Sequence, residues 1–414
     1  MGFISPLSKA TCPFCFHRFH LSKAPRRATD PTLPQIKDIK MGKFLGRPGL
    51  ELGMVTEPSE FSWAEKFFGK VFIADDWKSG CKKICPDCHM YLPHATASGQ
   101  LNSKTIAIIG ARNSGKSNYF GVLLNELEKR YANEVGFTIY DQETYSIREE
   151  KQVSSKQLYR VRYGSSLYGN EKRVAIGQSF NAIQNADLRI PLIYRLEFPK
   201  TNFQKLFSFF TPVISMDLVI FDAAGENLED PVAIEQVCRH LLNASGIIFL
   251  IDPFQFDYIR EKMYGRKEDA KKTKIDFDAA DMISSVVNLF EKRGGLKPGN
   301  KVPIPAAFAF SKSDLLESLV DKSSSLLKYN SHQGGFNLKK CLKLSEEVIE
   351  CTKEWESPRM YNLARSKFKS YCFFALSALG QSPGSNMEIE RVVPKNVADP
   401  LLWLLWKNGY IPSV

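Results

Sequence analysis

The chain has 414 residues, 43% hydrophobic and 24% charged, which is the composition of a folded globular protein and excludes disordered or fibrous classes. Its 56 Lys and Arg exceed its 45 Asp and Glu by 11, which favours polyanionic partners such as nucleotides, nucleic acid or acidic lipid surfaces, beside the plainer reading of an unspecific basic surface. No stretch reaches the roughly 18–20 apolar residues of a membrane span, no long apolar signal core opens the chain, and Pro6 stands where a myristoylation signal needs Ser or Thr, so the expected compartment is the cytoplasm.

The length predicts more than one domain, because single cores stop growing at about 250–300 residues. A first region over 1–98 holds five of the nine cysteines, together with a Pro- and Arg-rich stretch at 23–34 and a Gly-rich stretch at 41–53. Cysteines in a reducing compartment stay unpaired, so clustered ones suggest metal. Cys12-Pro-Phe-Cys15 and Cys85-Pro-Asp-Cys88 are two C-P-x-C knuckles. Together they offer four thiolates, the ligand set of a closed structural Zn²⁺ site with no open position for catalysis. Cys81, His17, His20 and His89 are spare candidates, and the long interval between the knuckles requires a subdomain to fill it. The paired knuckles are read as a small zinc ribbon, expected to be an interaction module or a staple.

A linker at 95–103 leads to the second region, 104–414. Here apolar runs at 105–109, 190–198, 217–221, 246–251, 305–310 and 371–377 read as strands, and 117–131, 233–242 and 279–293 as helices. The charged segment 258–274 reads as an exposed insertion, and 345–368 as a helical insert. Such alternation predicts an α/β fold, a mostly parallel sheet with helices on both faces.

Gly110-Ala-Arg-Asn-Ser-Gly115-Lys116-Ser117 follows the first of these strands and opens the first helix. It fits the phosphate-loop pattern G-x-x-x-x-G-K-[ST]. Glycines let the backbone curl so that its N–H groups, from Asn113 and Ser114 through Asn118, face phosphates at the positive end of a helix. Lys116 would reach the β- and γ-phosphates, and Ser117 would ligate Mg²⁺. Leu218-Val-Ile-Phe-Asp222-Ala-Ala-Gly225-Glu226 then delivers Asp222 to a strand end, where it would hold Mg²⁺ through water, with the Gly225 N–H offered to the γ-phosphate. Ser311-Lys312-Ser313-Asp314, again at a strand end, matches the guanine-reading N/T-K-x-D pattern with Ser in the first place. Asp314 would accept both guanine N–H groups, and Lys312 would lay its stem over the nucleotide. A strand followed by an Asp helix cap is the plainer reading. Ser377-Ala378 fits the loop whose backbone contacts the guanine carbonyl. A further strand end, Asp252, lacks the following glycine and reads as structural.

With these motifs in this order, the second region resembles the translation-factor-related class of P-loop GTPases. It looks most like the double-GTPase family associated with prokaryotic conflict systems, in its helical insert, its terminal Asp399-Pro-Leu-Leu-Trp-Leu-Leu-Trp406 and its N-terminal cysteine pairs. The resemblance implies binding of GTP and GDP, slow or regulated hydrolysis, and work beside a second GTPase or another protein effector. Glu226 stands where many such proteins carry a water-positioning Gln or His. It would act as a base, or repel the γ-phosphate and slow the reaction. A stabilising cation would come from a partner's arginine, from Arg112 within the loop, or from a potassium ion supported by Asn113. The switch threonine is open among Thr138, Thr144 and several serines. Two other functions compete: a nucleotide-sensing module without turnover, and a nucleic-acid-linked NTPase. The terminal segment 401–406, with its two tryptophans, is read as a helix packed on the core ahead of an interface.

Overall fold

The computed structural model describes residues 9–30, 32–58, 81–98, 105–111, 113–169, 173–176, 190–199, 213–221, 231–264, 278–355, 358–384 and 386–414. Arg112, Asp222, Gly225 and Glu226 of the expected site lie outside the described residues.

The first region is built from short strands. β1 (Lys9–Thr11) and β2 (Arg18–His20) form a hairpin around the first knuckle. β3 (Arg26–Ala28) lies between β4 (Val55–Thr56) and β5 (Cys81–Lys83), and α1 (Ile39–Leu45) packs beside them. This is the filling that the long interval between knuckles demands. Its centre is polar. Arg27, fully buried, pairs with Asp38, donates to the Met41 sulfur at 3.2 Å and lies over the Tyr91 ring at 5.1 Å. Asp38 also caps α1 through the Met41 N–H at 2.8 Å and meets His89 Nδ1 at 2.9 Å. Burial alone would raise its carboxyl. The hydrogen bonds from His89 and Met41 and the Arg27 charge overcome burial and bring it down to about 2. So the Arg-rich stretch is partly core.

The second region holds a four-stranded parallel sheet, β12-β11-β10-β6, from β6 (Thr105–Gly110), β10 (Ala244–Ile251), β11 (Ala306–Phe310) and β12 (Tyr371–Ala375). Its strands are near-continuous apolar runs because both faces are covered. Alternate residues point to opposite cores. Phe249, Ile251, Phe308, Phe310 and Phe373 pack with α5 (Ala279–Lys292), α6 (Leu338–Glu354) and α7 (Pro358–Lys367). Ile106, Ile108, Ile248, Leu250 and Phe374 pack with α2 (Lys116–Glu126) and α8 (Asp399–Lys407). Across strands, Phe249, Phe308 and Phe373 stack with centroids 4.9 and 5.1 Å apart. Each fully buried phenylalanine contributes about 1.5–3 kcal/mol.

Beside β6 lies a second sheet, and it is antiparallel, in the order β9-β8-β7: β7 (Thr138–Asp141), β8 (Leu192–Pro199) and β9 (Val213–Ile220). The mostly parallel expectation is therefore corrected to a mixed α/β architecture. Antiparallel neighbours need no crossover helix, so the alternating-element pattern could not reveal them. The helical insert is two helices, α6 and α7, with Pro358 opening the second. Ser345 of α6 accepts the Phe373 N–H at 3.0 Å, which covers the edge strand β12. The charged insertion is corrected in part. Its start is the helix α4 (Asp257–Tyr264), anchored by fully buried Ile259 and by Arg260, whose guanidinium donates to the Phe254 carbonyl at 2.6 Å. α8 is core, with Leu401 through Leu405 buried and Trp406 half-buried on Phe336. No described helix is long and apolar enough to cross a membrane.

Candidate functional site

The four cysteines of the knuckles meet. All their sulfurs lie within 4.8 Å of one another, with Cys12–Cys88 at 3.8 Å and Cys15–Cys85 at 3.6 Å, and all four are buried. Zn–S bonds of about 2.3 Å in a tetrahedron put sulfurs about 3.8 Å apart, so the set fits Zn²⁺. The two knuckles repeat one turn. The Phe16 N–H donates to the Cys12 carbonyl at 3.0 Å, and the His89 N–H to the Cys85 carbonyl at 3.0 Å. The residue after each second cysteine, Phe16 or His89, has φ +57°. Burial raises the Cys12 and Cys88 thiols well above their usual range, and a cation at the centre supplies what four thiolates need. Cys81, His17 and His20 stand outside the cluster, and His89 bonds Asp38 instead.

Away from the cysteine cluster in sequence, β6 runs into a tight loop and α2. Gly110 has no room for a side chain, since a Cβ would stand 2.3 Å from Ser114 Oγ. Asn113 and Gly115 take left-handed φ of +61° and +82°, which turns the backbone into the helix at Lys116. The first helical bond is Tyr119 N–H to the Gly115 carbonyl at 2.8 Å, so the N–H groups of the first turn face outward along the helix axis. Lys116 is buried, and its Nζ donates to the Gly110 carbonyl at 2.7 Å. Ser114 Oγ is buried with no hydrogen-bond partner among the described residues.

One cavity of about 490 Å³ joins this loop to the other two expected segments. Asn113 through Asn118 line it on one side, and Ser311, Lys312, Asp314, Ser377 and Ala378 on the other. Its size is that of a small-ligand site. β6, β11 and β12 are parallel, so their C-terminal ends share one edge, the place where open α/β sheets bind ligands. Lys312 sits at φ +54°, and its Nζ donates to Asp252 Oδ2 at 2.6 Å. Asp252 also accepts the Phe254 N–H at 3.0 Å. Its structural reading holds, and its grip on Lys312 is what sequence reasoning missed. The signal was present as a second strand-end acid on the neighbouring strand. Ser311 donates its hydroxyl to the Ile251 carbonyl at 3.2 Å, so it ties two strands together. Ser377 N–H is taken by the Lys395 carbonyl at 3.0 Å, and its Oγ accepts the Gly380 N–H at 2.9 Å.

Asn118 uses its side chain on the cavity wall: Nδ2 donates to the Ile176 carbonyl at 3.0 Å, and Oδ1 accepts the Ile176 N–H at 2.9 Å. This fixes Ala175 and Ile176, which line the cavity with Met387 and were not expected there. Of the switch candidates, Thr144 is buried and donates to the Pro191 carbonyl at 2.9 Å, a structural role, while Thr138 sits exposed on β7.

A second buried group, His332, Cys341 and Asp399, also gathers metal-capable atoms. Here the hydrogen bonds are closed. His332 Nδ1 accepts the Asn337 N–H at 3.1 Å, so the ring proton is on Nε2, which donates to Asp399 Oδ1 at 3.0 Å. Asn330 Nδ2 donates to Asp399 Oδ2 at 2.7 Å. A metal on Nε2 would displace that proton and break both bonds, so this cluster is a lock between α8 and the segment around 330–337.

No family model matches the chain. Over 340 residues it is 24% identical to SaeC of Mycolicibacterium smegmatis, a protein named for ESX-1 scaffolding and assembly, across 78% of this chain and 79% of that one. Among solved structures it is similar to the signal recognition particle receptor SRb-GTP/SRX complex from Chaetomium thermophilum, at 13% identity and a TM-score of 0.29, covering 75% of this chain and 100% of that chain.

Proposed function

We propose that the chain is a P-loop protein that binds GTP and GDP with Mg²⁺ and hydrolyses GTP as a regulated switch. The observation that carries this reading is the single cavity in which the glycine loop meets Lys312, Asp314, Ser377 and Ala378. In this reading the first turn of α2 and Lys116 hold the phosphates. Lys116 exchanges its bond to the Gly110 carbonyl for phosphate oxygens. Asp314 accepts the two guanine N–H groups, with Lys312 steadied by Asp252. Ser117 and Asp222 would hold Mg²⁺, which neutralises charge developing on the phosphoryl group. Arg112 and Glu226 belong to the same reading as cation and water-facing group, and a second GTPase or other protein as the stimulating partner. Zn²⁺ on Cys12, Cys15, Cys85 and Cys88 has a structural role. Titration with fluorescent GDP and ADP tests the core of the reading. Preference for GDP by tenfold or more is expected, and equal affinity contradicts the guanine-reading role.

A second reading keeps the nucleotide and drops turnover: a nucleotide-sensing assembly module. Glu226 after Gly225 favours it, and so does the resemblance to a protein named for scaffolding. Single-turnover hydrolysis separates the two. Phosphate release from bound GTP, with or without potassium, supports the switch, and GTP recovered intact supports the module.

A further inference from the structure

The cavity is bounded by a closed circuit of segments, each joined to the next by hydrogen bonds. We propose that Asn118 is the latch of this ring, and that the latch sets how fast guanine nucleotide enters and leaves. This deepens the nucleotide reading above and rests on it.

The ring can be followed link by link. From the glycine loop it runs across the sheet, β6 to β10 to β11 to β12. The Ser313 N–H donates to the Leu376 carbonyl at 2.9 Å, which joins the ends of β11 and β12. The chain after β12 then folds back on itself. The Ser377 N–H donates to the Lys395 carbonyl at 3.0 Å, the Val393 N–H to the Leu379 carbonyl at 2.9 Å, and Gln381 Nε2 to the Arg391 carbonyl at 2.9 Å. Next, the strand Glu388–Ile389 pairs with the strand Arg173–Val174, and the Ala175 N–H donates to the Met387 carbonyl at 2.8 Å. This strap, 173–176, reaches α2. There the Asn118 carboxamide takes both backbone groups of Ile176 and closes the ring. Leu376, Leu379, Met387, Ala175, Ile176 and Asn118 all line the cavity.

The earlier links are mostly backbone bonds, while the closing link is one side chain. A carboxamide suits it because it donates and accepts at once, as a neighbouring strand would. The stem of the strap is held separately. The short helix α3 (Ser165–Tyr168) packs fully buried Leu167 on Gly121 of α2, where a Cβ would stand 2.5 Å from the leucine. Without the Asn118 amide the stem therefore keeps its place and only the closure is lost. The Ile176 N–H and carbonyl are spent on Asn118, and the Ala175 N–H on Met387. The strap thus offers a ligand chiefly the apolar side chains of Ala175 and Ile176, which distinguish no base. Met387, 38% exposed, stands where the ring meets solvent. A nucleotide with its phosphates on α2 and its base at Asp314 lies within this ring, and the ring parts most readily at its latch.

The test times release and association of fluorescent GDP by stopped flow, with the full chain and its Asn118→Ala variant. Release from the variant should be about tenfold faster, in the range set by two net hydrogen bonds. Association should quicken by a similar factor, because a ring closed beforehand must also open to admit the ligand, so Kd should move by less than about threefold. The preference for GDP over ADP should not change, since the strap reads no base. A second measurement needs no variant: in the unchanged chain the Ile176 N–H should exchange with solvent more slowly once GDP is bound. Unchanged release from the variant overturns the latch. Faster release with unaltered association reveals a contact wall in place of a gate and overturns it too, as does Ile176 exchange indifferent to GDP. Each of these leaves the nucleotide reading standing. Failure of the unchanged chain to bind any guanine nucleotide overturns both.

Discussion

The cavity at the phosphate-type loop and the buried cluster of His332, Cys341 and Asp399 are both rich in polar side chains, yet their chemistry is opposite. In the cluster every strong donor and acceptor has found a partner within the fold: His332 with Asn337 and Asp399, Asp399 with Asn330. The cavity has Ser114 Oγ buried without one among the described residues, a helix start whose N–H groups face it, and half-buried Asp314 on its wall. The cysteine centre sides with the cavity, since four buried thiols without a cation cannot all ionise. What separates a site from a lock is therefore the hydrogen-bond account, and the residue types alone do not show it.

The largest effect that would sharpen this contrast is at the cysteines. Cys85→Ser should take zinc from about one per chain to near zero by elemental analysis. Structural zinc in small domains is worth about 10–16 kcal/mol in apparent folding energy, so the ribbon should also lose protease resistance. Cys341→Ala should leave zinc content unchanged, and zinc loss there would break the contrast. Asp399→Ala comes next. It strands the His332 and Asn330 donors in the interior, at about 1–3 kcal/mol for each. Denaturant unfolding should therefore show a loss of about 3 kcal/mol with nucleotide affinity altered less than threefold.

Lys116→Ala should weaken triphosphate binding by about a hundredfold, in line with charge-assisted bonds of about 1.5–3 kcal/mol, while the chain stays folded. A variant that binds GTP normally would show the cavity to be a lock as well. The smallest effect belongs to Asp252→Asn. Lys312 is about one-third exposed, so the pair is worth about 0.5–1 kcal/mol, and GDP affinity should fall two- to fivefold. No change would place Lys312 outside the binding role.

Much of this was legible in the sequence because the chemistry fixes the spacing. A C-P-x-C turn brings two sulfurs together wherever it occurs, and a glycine is required where Gly110 meets Ser114. Strands such as 246–251 announced themselves by being apolar throughout. Three things were not legible. The antiparallel β7–β9 sheet left no periodic sign distinct from parallel strands. The helix Asp257–Tyr264 was hidden by its charge, since one buried apolar residue, Ile259, and the buried Arg260 anchor it. Asn118 was expected for its backbone N–H, and it lines the cavity; the grip of its side-chain amide on Ile176, 58 residues away, is a contact that no local pattern encodes.

In the proposed function the cavity reads guanine through Asp314. Its most direct test is the affinity of Asp314→Asn for GDP and for xanthosine diphosphate, measured beside the unchanged chain. The unchanged chain should prefer GDP and the variant should reverse the preference, because an amide can donate to the xanthine carbonyl where a carboxylate cannot. A variant that keeps its preference for GDP, or a parent chain that binds both alike, would contradict this role of Asp314.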